Sequence, residues 1–214
     1  GVARPGGAVL LALTLAACGD RPGQAPAPRE VVVSSGAIAV AAPPGYCVDR
    51  SATRDREADS FVLLASCASL DPEAEGVVAE PALMTVTISG VEAGLVAPRA
   101  DDLAGAAAAG AALARRNAAD LALVHLSEGG DDVLPGGDPR HWRGAVKRGG
   151  RVIGLALYAP EGSPLAGTQG AGLLTRLADR ITARRGAPEA QTTEEAGTGG
   201  TPGPLRRLFG GLFN

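Results

Sequence analysis

The apolar positions of the chain change period several times, and each change marks an element. Ala8 to Ala17 is apolar throughout except for Thr14. At about 1.5 Å per residue such a run covers roughly 15 Å as a helix, about half of a hydrocarbon core. That is too short to span a membrane and matches the hydrophobic region of an export signal, preceded by Arg4. The segments "GAIAVAAP" (36–43) and "GYCVD" (45–49) alternate weakly and predict short strands broken by Pro43 and Pro44. The charged "RSATRDREAD" (50–59) predicts a loop or helical turn, and "SFVLLAS" (60–66) a buried strand. After a loop, "DPEAEGVVAEP", the Thr and Val alternation of "ALMTVTISG" (82–90) predicts a strand with one wet and one dry face.

The segment "DDLAGAAAAGAALARRNA" (101–118) predicts a helix. Asp101 and Asp102 sit at its positive end, Arg115 and Arg116 at its negative end, and alanine dominates between them. "DLALVHL" (120–126) is apolar on both faces, as a strand covered from both sides is. "SEGGDDVLPGGDP" (127–139) then predicts a long acidic loop. In "HWRGAVKRGGRVIGLALY" a Gly149-Gly150 turn pairs Val146 with Ile153, Gly144 with Leu155 and Trp142 with Leu157. These positions share one face, and Arg143, Ala145, Lys147, Gly154 and Ala156 share the other. A slip of one residue would mix the two sets. Ser163-Pro164 predicts an N-cap and first turn of a last helix. That helix has Leu173, Leu174, Leu177 and Ile181 on one side, and Arg176, Asp179, Arg180 and Arg184 largely on the other.

Strands, a helix, a strand with a hairpin and a closing helix predict an α+β fold, a mainly antiparallel sheet with two packed helices and flexible termini. This element order resembles the PsbP-like fold, a family of exported or lumenal binding and assembly proteins, over most of residues 30–185. The resemblance rests on element order, so it implies no functional residue.

Composition adds an address. The chain has 214 residues, 45% of them hydrophobic and only 3% aromatic, so one core built from Val, Leu, Ile and Ala is expected. A net charge of -3 offers no basic field for nucleic acid. The apolar run ends Leu15-Ala16-Ala17-Cys18, which resembles the lipobox of bacterial lipoproteins. The resemblance implies cleavage before Cys18 and acylation of its thiol, with two or three acyl chains anchoring the protein firmly. In two-membrane bacteria Asp after that Cys favours the inner membrane. Gly19 stands there, which implies the periplasmic face of the outer membrane. The alternative is an ordinary cleaved signal. Segmentation follows: signal peptide 1–17, lipidated tether 18–29, a single domain 30–185, a linker 186–203 expected to be disordered, and a tail 204–214.

Three cysteines less Cys18 leave Cys47 and Cys67, which an oxidising compartment would join. A shared metal or a redox pair is the weaker reading, since no His lies near them in sequence and C-x-x-C spacing is absent.

In the tail, "PLRRLFGGLFN", Leu205, Leu208, Phe209, Leu212 and Phe213 recur at helical spacing, with Arg206 and Arg207 outside the stripe. Ordering such a short helix costs more than its burial returns in water, so it needs a surface. Three remain open: its own domain, a groove on a partner protein, or a lipid interface with anionic headgroups.

Chemistry is sparse. His125 lies mid-strand among leucines and reads as a core histidine. His141 adjoins the acidic loop with Glu128, Asp131, Asp132 and Asp138, where a general base with carboxylates is conceivable. No G-x-S-x-G, H-E-x-x-H or Walker loop occurs, and "GGDDVLPGGD" lacks EF-hand spacing, so no metal or cofactor is expected. The favoured reading is a non-enzymatic envelope lipoprotein that binds or scaffolds. The rival is a small periplasmic hydrolase using His141 with Asp131, Asp132 or Asp138.

Overall fold

A computed structural model describes residue 1 and residues 26–74 and 76–184. Cys18, the linker and the tail therefore lie outside the described residues. A small sheet is made of β1 (Glu30–Val33), β2 (Ile38–Ala41) and β10 (Ile181–Ala183), in the order β1-β2-β10. A larger sheet contains β3 (Tyr46–Arg54), β4 (Asp59–Ser66), β5 (Leu83–Ser89), β6 (Ala112–Ala118), β7 (Leu121–Leu126), β8 (His141–Arg148) and β9 (Arg151–Tyr158). Its order is β3-β4-β5-β9-β8-β7-β6, and every pairing in both sheets is antiparallel. Among the described residues four short helices accompany the sheets: α1 (Cys67–Leu70), α2 (Ala100–Gly105), α3 (Gly130–Val133) and α4 (Gln169–Ala178). The α+β class with mainly antiparallel sheets is as expected. Among the described residues, no helix is long and apolar enough to cross a membrane.

The β8–β9 hairpin has the expected register, with Val146 opposite Ile153, Gly144 opposite Leu155 and Trp142 opposite Leu157. Gly149 and Gly150 turn it at φ of 55° and 71°, a region that costs L-residues steric strain and glycine little. The large apolar face enters the main core with Val62, Leu64, Met84, Val86 and Ile88 of the neighbouring strands, under α4 and the small sheet. α4 supplies Leu173, Leu174 and Leu177, all buried.

The opposite face is covered too. Ala122, Val124 and Leu126 of β7, Ala145 of β8 and Val152 of β9 pack beneath Leu95, Ala100, Leu103 and Ala111. Leu121 and Leu123 join the main core, so β7 is dry on both faces as its apolar run requires. Cys47 and Cys67 form a disulfide that ties α1 to β3, with Cα atoms 4.9 Å apart.

Four expectations need correction. The predicted helix 101–118 is α2, a turn and then β6, the edge strand paired with β7. Gly110 holds a φ of 85°, which interrupts any helix, and the backbone from Ala112 onward completes the sheet instead. Residues 50–54, expected to leave the sheet, extend β3 to Arg54 with a register shift after Asp49. That strand lies at the sheet's edge, where polar side chains face water. Ser163-Pro164 starts no helix: the Ser163 carbonyl accepts from Ala166 N–H in a turn, and α4 begins at Gln169. Ile181, expected on the last helix, belongs to β10, where it pairs with Val40 of β2 while still reaching the main core.

Candidate functional site

At one end of the larger sheet, the second covered face opens into a cavity of about 530 Å³. Leu103 of α2 and the span after it, Ala106, Ala107, Ala108 and Ala111, form one wall, and Leu126 of β7 continues it. The connection from β7 to β8 supplies the rim: Glu128, Gly129, Asp131, Asp132 and Pro139. His141 and Arg143 form the floor from β8. They stand two residues apart on one strand and so share a face.

The rim is held in a tight fold. Gly129 has a φ of 88°, and Gly130 N–H donates to the Pro139 carbonyl at 2.8 Å. A Cβ on Gly130 would lie 2.2 Å from the Asp138 carbonyl oxygen, so only glycine lets the two ends of this loop meet. Asp131 and Asp132 are exposed at the first turn of α3, on the cavity side.

Asp138 does not join them. Its carboxylate accepts from Arg140 Nε at 2.9 Å, Arg140 Nη2 at 2.8 Å and the Arg140 and Gly162 backbone N–H groups. The Arg140 hydrogen bonds, against the opposing effect of desolvation, hold its carboxyl down at about 2. It is a loop staple. Of the carboxylates considered beside His141, the fold brings Asp131, Asp132 and Glu128 to the cavity and commits Asp138 elsewhere.

His141 is 1% exposed and stacks on Tyr158 with ring centroids 5.2 Å apart. Both ring nitrogens are engaged. Nε2 accepts from Arg143 Nε at 3.2 Å, which places the ring proton on Nδ1, facing the Pro139 carbonyl at 3.4 Å. Burial, and then the Arg143 charge, push the imidazole down to about 4, with Asp131 opposing weakly. It is neutral at physiological pH, and its basic lone pair is occupied.

Arg143 is 4% exposed, and burial lowers its pKa without removing its charge. Its guanidinium lies beside the Tyr158 phenol, whose pKa burial raises and Arg143 pulls back. The site is therefore an apolar, alanine-walled chamber with a buried cation and a neutral imidazole below and three carboxylates above.

His125 lies on the other face as a half-buried residue. Its Nε2 meets the Ala166 carbonyl at 2.8 Å, and its ring stacks on Trp142 at 4.5 Å between centroids. Trp142 in turn donates Nε1–H to the Gly167 carbonyl at 2.7 Å. Among the described residues, no group of three or more His, Cys, Asp or Glu is placed to share a metal ion.

Sequence reasoning missed Arg143 and the alanine wall as site elements. The available signal was parity, since Arg143 follows His141 by two in a strand whose register the turn fixes. No protein-family profile and no curated protein sequence matches the chain.

Proposed function

We propose that this chain is an envelope lipoprotein, acylated at Cys18, whose exported domain binds a ligand in the alanine-walled cavity without transforming it. The observation that carries the binding reading is the double engagement of His141. A general base must offer a free lone pair at a pKa near the working pH. Here Nε2 already accepts from Arg143, and the imidazole sits near 4. The cavity falls within the size range of small-ligand sites, about 300–1,000 Å³, and its mostly apolar wall with a few convergent polar groups is the usual composition of such sites.

The address is supported by Leu15-Ala16-Ala17-Cys18 and by cysteine pairing. With Cys47 and Cys67 joined, Cys18 is the one thiol of the three left for a lipid. Gly19 favours the outer membrane, periplasmic face. A disulfide is compatible with that compartment.

The hydrolase alternative draws on one observation, a cleft that does converge on His141 with Asp131 beside it. Two measurements separate the readings. Expression in a two-membrane bacterium should give a membrane-bound chain whose mass starts at an acylated Cys18, and Cys18→Ser should release it. The neutral apolar dye N-phenyl-1-naphthylamine should bind the domain, and Ala107→Trp should abolish that binding. A mass retaining residues 1–17, or lacking acyl chains, refutes the address. Ester or amide hydrolysis that vanishes in His141→Gln refutes the binding reading in favour of the rival.

A further inference from the structure

The alanine wall leaves space that the described part of the chain does not fill. Between Ala106 and Ala111 the wall offers only methyl groups, while the rim above it carries three carboxylates. Elsewhere the chain is short of bulk: it has three Phe, and two of them, Phe209 and Phe213, lie in its final segment. That segment also carries Arg206 and Arg207 between its leucines. Apolar side chains interrupted by two cations are the chemical complement of an apolar chamber rimmed by Glu128, Asp131 and Asp132.

We infer that residues 204–214 plug this cavity in cis, with Leu and Phe side chains against the alanine wall and Arg206 and Arg207 facing the rim carboxylates. The inference rests on the reading of the cavity as the chain's binding site, and it adds a competitor built into the same chain.

Geometry permits the contact. Arg184, the last described residue, is anchored by its N–H to the Ala37 carbonyl, and nearby Ile181 accepts from Arg148 Nε. The chain therefore departs from the Arg148 end of β8, whereas the cavity opens at the His141 end. Along an antiparallel strand that distance is about 24 Å, and passing round the sheet from the β10 face to the cavity face adds roughly 10 Å. A flexible coil of the length of residues 185–203 spans roughly 23 Å root-mean-square. Extended, the same stretch reaches about 60 Å, so the contact is within its reach.

Tethering also sets the occupancy. A linker of this length holds its end at an effective concentration on the order of 1 mM. A segment that would bind from solution with a Kd of about 100 µM is then docked about 90% of the time. Because both partners are charged at the surface, the contact weakens with salt.

Trypsin reads this directly, since Arg206 and Arg207 are its targets and cleavage follows the undocked fraction. In the full chain, cleavage at these two sites should be about tenfold slower than in Glu128→Gln/Asp131→Asn/Asp132→Asn or in Ala107→Trp, and 0.5 M salt should erase most of the difference. The triple variant changes only exposed side chains, so it remains informative if Ala107→Trp does not fold. Equal cleavage rates in all chains overturn the inference. So does protection that arises only with phosphatidylglycerol vesicles and is unaffected by either variant, which assigns the segment to a lipid surface. N-phenyl-1-naphthylamine is read in the same samples. More dye bound by the triple variant than by the wild type supports the plug. Dye binding lost in Ala107→Trp, with equal cleavage rates, overturns the plug alone. No dye bound by any chain overturns the cavity reading and the plug with it.

Discussion

Acidification should destabilise this protein through His141 before any carboxylate is involved. The imidazole is buried against Tyr158 and Arg143, and its pKa falls from the ordinary 6.5 to about 4. Unfolding returns it to water, where it takes a proton below about pH 6.5. Above that pH neither state binds the proton, and stability is full. Between 6.5 and 4 only the unfolded chain is protonated, so stability falls as pH falls, by up to about 1.4 kcal/mol per unit. Below about 4 both states carry the proton and the contribution is flat. The integrated loss is about 3 kcal/mol, a large share of the 5–15 kcal/mol that typically separates folded from unfolded domains. His125, also lowered by burial, acts in the same direction and steepens the wild-type curve. The control is His141→Gln, which retains an acceptor for Arg143 and cannot titrate. Urea unfolding followed by the single Trp142, repeated from pH 7.5 to 4.5, should show the wild type losing about 3 kcal/mol more than His141→Gln. Parallel curves for the two proteins would refute the buried neutral imidazole, as would a wild type that gains stability on acidification. Asp138, held at about 2, loses its contribution only from the ordinary carboxylate range downward, so the two windows do not overlap.

Three other perturbations test the fold around the site. Opening the Cys47–Cys67 bridge, which spans 20 residues, should cost about 3 kcal/mol, read as the difference in urea midpoint between Cys47→Ala/Cys67→Ala and the oxidised chain. A loss below about 1 kcal/mol would show that the closed loop constrains the unfolded chain little. Gly170→Ala should destabilise by about 2 kcal/mol despite a better helix residue, because its Cβ would lie 2.2 Å from the Leu165 carbonyl oxygen and 2.5 Å from Trp142 Cδ1. Trp142 fluorescence and thermal melts would register it, and an unchanged midpoint would contradict this packing. Gly105→Ala and Gly110→Ala should have opposite signs. The first ends α2 in open space and should stabilise by up to about 1 kcal/mol, while the second, at a φ of 85°, should cost about 1 kcal/mol. Two stabilising results would restore the continuous helix.

Legibility in the sequence tracked how much a segment's neighbours were local. The β8–β9 hairpin could be placed to the residue because a two-glycine turn and a period-two pattern constrain the same register. β7 announced its two covered faces by carrying no polar residue but His125, and α4 announced its buried side through Leu173, Leu174 and Leu177. The Cys47–Cys67 bridge followed from parity. β1 and β10 escaped because strands of four and three residues are too short to show a period. Residues 50–54 of β3 escaped because an edge strand can be as polar as a loop. In the site, His141 and the acidic rim were visible as residue types near one another in sequence. Arg143 was not, because a buried arginine is legible only through its partners. One of these, Tyr158, comes from the strand across the sheet, and the other, His141, serves only once the strand brings their side chains to one face.

The alanine segment shows why one misreading and one site share a cause. Alanine has the highest helix propensity, worth up to about 1 kcal/mol per residue over glycine. A helix over 101–118 would nonetheless order the whole segment to bury two large apolar side chains, Leu103 and Leu113. Tertiary packing, not propensity, supplies most of a helix's stability in a protein. The strand alternative pairs the open edge of β7 from Leu121 to Leu126, with one register shift between Ala112 and Ala114, and it lets Asn117 accept from the Ala100 N–H at 2.9 Å, closing the segment on itself. Leu113 is then 54% exposed, a modest loss set against that pairing. What remains to cover the sheet beyond α2 is a span of methyl groups, and methyl groups cannot fill the volume over His141 and Arg143. The low bulk that imitates a helix in one dimension therefore becomes an opening in three. In the main core on the other face, valines, leucines and isoleucines such as Val62, Leu64, Val86, Ile88 and Leu155 are fully buried, so the chamber exists where the sequence withholds side-chain volume.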